Sequence, residues 1–177
     1  MPSTPEAPGA ADGPSRVTVA VADEEALAAL AVRLATALPR PAFIALHGDL
    51  GAGKTTFTKM LAAAAGIDAT EVVSPTFGLI HEHAGPAIRV LHADMYRLVD
   101  AGDLAELGWH DAVARATWTL VEWPERIAAA LPADRLDIAI GIDSPTARSL
   151  TFTARGPRHA TVIDFLRRGV APTSAVR

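Results

Sequence analysis

The chain has 177 residues, 50% of them apolar and 20% charged, the balance of one globular domain with a real core. A formal charge of −4 excludes a protein that holds nucleic acid through its overall charge and leaves room only for a local basic patch. With no cysteine, structural disulfides and thiolate metal sites are excluded as well.

Residues 1–15, rich in Pro, Ala, Gly and Ser, are expected to form a disordered tail, and 169–177 a flexible one. Residues 16–168 read as a single domain, without repeats or linkers. The first residues lack the apolar core of a signal peptide, and no run approaches the ~18 apolar residues of a membrane span. A soluble, cytoplasmic protein is the expectation.

"RVTVAV" alternates and is β-branched, a strand pattern. "ADEEALAALAVRLATAL" reads as a helix: Asp23 is placed to cap it, Leu27, Leu30, Leu34 and Leu38 form one stripe, and Pro39 ends it. "AFIALHG" is a short, wholly apolar run, the mark of a buried parallel strand. "KTTFTKMLAAAAG" is a second helix that stops at Gly66. "TFGLIHEH" and "AIRVLHAD" flank "AGP" as a hairpin, and "DLAELGWHDAVAR" reads as one or two short helices. "TWTLVEW" is another buried strand, "RLDIAIGI" and "RSLTFTAR" form a late hairpin around "DSPTA", and "RHATVIDFLRR" closes the chain as a helix. Strands alternating with helices predict an α/β fold, a P-loop NTPase-like sandwich around a mixed, partly parallel sheet.

Between the first buried strand and the second helix stands "GDLGAGKTT". It fits G-x-x-x-x-G-K-[ST] as Gly48, Gly53, Lys54 and Thr55. Phosphates need several N–H donors converging on one point, and a chain wraps that tightly only where side chains do not obstruct it. The helix start adds its positive dipole end. Gly48, Asp49, Leu50, Gly51, Ala52, Gly53, Lys54, Thr55 and Thr56 are therefore candidate nucleotide-binding residues. Lys54 is expected to reach the β- and γ-phosphates, and the Thr55 hydroxyl to ligate Mg²⁺, a hard cation that prefers oxygen.

A nucleotide hydrolase also needs a carboxylate at the tip of a neighbouring strand. Asp94 ends "IRVLHAD" and Glu122 follows "TWTLV"; both are candidates for metal binding and catalysis, alongside Lys54. Thr76, in "SPTFGL", stands where a segment that senses the γ-phosphate would lie. His81, His83 and His92 are spaced too loosely for a metal site and are read as satisfied or exposed histidines.

Taken together and in order, "GDLGAGKTTFTK", "SPTFGLIHEH", "LHADMYRL" and "LVEWPERI" resemble the TsaE (YjeE) family of small bacterial ATPases. The resemblance implies ATP and Mg²⁺ as cofactors, with Asp94 and Glu122 near the metal and Trp123 beside the nucleotide. It places the first helix start, around Asp23 and Glu24, near the nucleoside. It also implies a role in threonylcarbamoyl modification of tRNA adenosine, in which slow hydrolysis resets a complex with TsaB and TsaD, and tRNA contact is indirect or weak. Two rival readings share the loop: a small-molecule kinase, and a binding module gated by ATP without turnover. A GTPase is disfavoured, since no N-K-x-D motif is present.

Overall fold

The computed structural model describes residues 15–72, 75, 79–98 and 101–169. The described residues form seven strands and four α-helices, in the order β1 (Arg16–Val21), α1 (Glu24–Ala37), β2 (Ala42–His47), α2 (Lys54–Ala64), β3 (Ile80–Ala84), β4 (Arg89–Asp94), α3 (Trp109–Arg115), β5 (Trp118–Glu122), β6 (Leu136–Ile142), β7 (Arg148–Ala154) and α4 (Pro157–Gly169). They form one sheet in the order β1-β7-β6-β2-β5-β4-β3. Its centre is parallel, with β2 between β5 and β6 and β4 beside β5. The β3–β4 and β6–β7 pairs are antiparallel, as both hairpin patterns anticipate, and β1 adds to β7. The fold is therefore α/β on a mixed, partly parallel sheet.

The buried strands are central because both of their faces are covered. On β2, Ile44 and Leu46 join the larger core with α1, α2 and α4, while Phe43 points to a second core with Trp109 of α3. The leucine stripe of α1 is buried as the spacing requires. Asp23 caps that helix, its Oδ1 accepting the Ala26 N–H at 2.9 Å.

"DLAELGWHDAVAR" overlaps two short helical segments, as expected: a 3₁₀ turn at Ala101–Leu104 and α3, which Gly108 precedes at φ 66°. A further 3₁₀ segment, Pro124–Ala130, has no apolar periodicity to announce it and is held by burial of Pro124 and Ile127. No helix of the described residues is long and apolar enough to cross a membrane.

Within α2 the Thr58 hydroxyl is fully buried and makes no hydrogen bond among the described residues. An orphaned hydroxyl costs stability, and valine has the same shape without it. Thr58→Val is thus expected to raise stability by about 1 kcal/mol, measured by urea unfolding.

Candidate functional site

The parallel strands end at one edge of the sheet, and the loop from β2 to α2 wraps that edge. Two of its glycines have a local reason. A Cβ on Gly48 would stand 2.7 Å from the Ile140 carbonyl oxygen of β6. Gly53, the residue before α2, holds φ at 103°, where a side chain would be strained.

Lys54 is 5% exposed. Its ammonium donates to the carbonyls of Gly48 at 2.6 Å and Asp49 at 2.9 Å, and lies 3.9 Å from the centroid of the Trp123 ring. Burial lowers its pKa, and the nearby Glu122, Asp94, Glu125 and Asp49 offset that only in part. Trp123 sits in the left-handed region at φ 57°, a strained backbone for a bulky residue. That bend turns its indole over Lys54 and against Tyr96, the ring centroids being 4.9 Å apart.

The register pairs Asp94 of β4 with Glu122 of β5. Because strand side chains alternate, both point to the face on which α2 begins. Glu122 is 3% exposed. Its Oε2 accepts the Thr55 hydroxyl at 3.0 Å, and its Oε1 meets His92 Nε2 at 2.8 Å. Asp94 Oδ1 accepts the Tyr96 N–H at 3.0 Å.

Leu50, Gly51, Gly53, Lys54, Thr55, Thr56, Asp94, Glu122 and Trp123 all line one open cavity of about 410 Å³, joined by Pro75, Tyr96 and Arg97. Across the loop a second cavity of about 400 Å³ is lined by Asp23, Glu24 and Ala52, with Leu27 and Arg148. The two share Gly51, Gly53 and Thr56. Gly48 and Asp49 line neither; they contribute the carbonyls that hold Lys54. Thr76 lies outside the described residues.

The family model described as Threonylcarbamoyl adenosine biosynthesis protein TsaE matches residues 21–150. The chain belongs to the TsaE family. It is 39% identical over 138 residues to the tRNA threonylcarbamoyladenosine biosynthesis protein TsaE of Bacillus subtilis (strain 168), covering 77% of this chain and 85% of that protein. To the Nostoc protein of the same name it is 32% identical over 150 residues, covering 82% and 89%. Among solved structures it resembles that of Bacillus subtilis YdiB, with a TM-score of 0.69 and 30% identity over 90% of this chain and 99% of that one.

Sequence reasoning missed two contacts of this site. His92, read as a satisfied or exposed histidine, is fully buried, and the partner that satisfies its Nε2 is Glu122. Arg148 of β7 donates from Nε to the Ala52 carbonyl at 3.1 Å and braces the loop from 96 residues away. Trp123, which the resemblance places beside the nucleotide, packs against Tyr96 and lines the first cavity. The alternation of β4 was the available signal for His92, since it shares a strand face with Asp94.

Proposed function

We propose that this TsaE-family chain binds and hydrolyses ATP with Mg²⁺, and that it serves tRNA threonylcarbamoyladenosine formation by binding and resetting a TsaB–TsaD complex in the cytoplasm. One observation carries the nucleotide part: Lys54 and Thr55, at the start of α2, face Asp94 and Glu122 across a single cavity. The pathway rests on the family and on its relatives' names.

In this reading the N–H groups between Gly51 and Thr55 meet the phosphates, and Lys54 exchanges its two carbonyl partners for phosphate oxygens. The base and ribose enter the second cavity, between Glu24, Leu27 and Arg148; Asp23 has already committed one oxygen to capping α1. Thr55 and Glu122 would hold the magnesium: their oxygens are 3.0 Å apart, and a hydroxyl beside a carboxylate suits a hard divalent cation. When bound, that ion neutralises charge on the β- and γ-phosphates. Asp94 orients a water: a bond forms from its oxygen to the γ-phosphorus, the bond to the ADP oxygen breaks, and the water's proton leaves through the carboxylate. Arg97 is the one arginine of the described residues lining this cavity, so turnover by the isolated chain is expected to be slow.

Tryptophan fluorescence tests the nucleotide part. Trp109 and Trp118 are buried in the cores at 3% and 1% exposure, whereas Trp123 touches the ammonium that binding would move. ATP is expected to change Trp123 emission, and Lys54→Ala to weaken binding about 100-fold, a loss of roughly 2.7 kcal/mol. ADP is expected to accumulate without any acceptor molecule, which a kinase would require. A chain that ignores ATP overturns the proposal.

A further inference from the structure

We propose that His92 is a positioning residue: its Nε2 holds Glu122 Oε1 so that Oε2 is presented to Thr55, the corner at which the divalent cation is bound. The inference rests on the reading of Thr55 and Glu122 given above.

His92 and Asp94 share one face of β4, and Glu122 lies on the adjacent strand in register with Asp94. His92 is 0% exposed, between Leu91 and Ala93, which are equally buried. Its 2.8 Å contact to Oε1 and the 3.0 Å contact of Thr55 to Oε2 take different oxygens of one carboxylate. A terminal carboxylate torsion is otherwise broad and roughly two-fold, so a single partner would leave the group free to turn.

The other ring nitrogen, Nδ1, is buried and has no hydrogen-bond partner among the described residues. All of the polar bonding that His92 shows is thus spent on Glu122. Had packing been its only task, an apolar side chain would fill the site without an orphaned nitrogen, which costs stability. This is the arrangement in which an outer group fixes a metal-side ligand, where substitution typically changes metal affinity 10–100-fold.

His92→Leu and His92→Gln separate positioning from packing. Glutamine supplies an amide N–H at similar reach; leucine supplies none. Crystal structures of both variants are expected to show Oε2 still on Thr55 in H92Q and turned away in H92L. In magnesium titrations with ADP, half-saturation is expected to rise 10–100-fold in H92L and to stay within about threefold of the parent in H92Q, while ADP binding in EDTA stays unchanged in both. Should H92L not fold, His92→Asn, whose amide is too short to reach Oε1, takes its place. If Glu122 keeps its place in H92L, or if H92Q loses as much as H92L, the proposal is overturned. If the parent chain binds no nucleotide, the proposed function falls, and the two crystal structures alone decide the role of His92.

Discussion

Replacing Glu122 by glutamine is expected to cut ATP turnover by about 10²–10³-fold, roughly 3–4 kcal/mol of transition-state stabilisation. Glutamine has the same shape, so its amide oxygen still accepts from His92 and the packing around β5 is kept. What disappears is the negative charge beside Thr55, and with it the preference of that corner for a cation. Nucleotide affinity in EDTA is expected to stay within about threefold of the parent, because the N–H groups of the loop and Lys54 are untouched. Steady-state ADP release and fluorescence binding measure the two quantities separately. Equal turnover in parent and variant would remove Glu122 from the machinery. The same variant decides between hydrolysis and gating. If E122Q restores tRNA modification to cells lacking the parent chain while releasing no ADP, bound nucleotide suffices and the resetting role is wrong.

The largest expected loss of stability comes from Asp137, at the start of β6 and paired in register with Ala45 of β2. Asp137 of β6 is 10% exposed and accepts from Arg135 Nε on one oxygen and Arg155 Nε on the other, both at 2.7 Å. His47 Nε2 stands 3.9 Å away, too far for a hydrogen bond, and adds charge only when protonated. Burial pushes the carboxyl's pKa up, but the hydrogen bonds from Arg155 and Arg135 and the charge of Arg135 pull it well below the usual carboxylate range. Removing one member of such a buried cluster leaves the others unpaired. Asp137→Ala is therefore expected to cost about 3 kcal/mol, at the low end of the range because Arg155 is half-exposed and can turn to water.

The pH dependence has a definite sign. The folded pKa of Asp137 lies below the unfolded value of about 3.9, so the unfolded chain binds more protons in acid. The stabilisation is fully present above roughly pH 4–5 and is lost as the pH falls through the folded value. Urea unfolding from pH 7 to pH 3 is expected to show the parent losing stability faster than D137A below pH 5. Parallel curves would mean that the cluster contributes nothing.

The two halves of this chemistry were unequally legible. The glycine-rich loop is local: eight consecutive residues carry the glycines, the lysine and the hydroxyl, and the apolar run before and the helix after are visible in the same stretch. Asp94 and Glu122 were legible one step less directly, as acids ending buried runs, since parallel strands bring their ends to one edge. Both hairpins and the stripe of α1 followed from period-2 and period-3.6 patterns. Yet the same patterns say nothing of how neighbouring strands are ordered, and strand order is what sets Asp94 opposite Glu122 across 28 residues of chain.

By itself, then, the sequence determined which segments become strands and helices and which loop carries the G-x-x-x-x-G-K-[ST] pattern, because those choices rest on steric and apolar patterns within a few residues. Only the tertiary structure decided that His92 would clamp Glu122 from 30 residues away, that Arg148 would brace Ala52 from 96, and that Trp123 would bend its backbone to cover Lys54. Those contacts depend on strand register, where a shift of one residue turns every side chain to the other face, and no local pattern fixes which strands will meet.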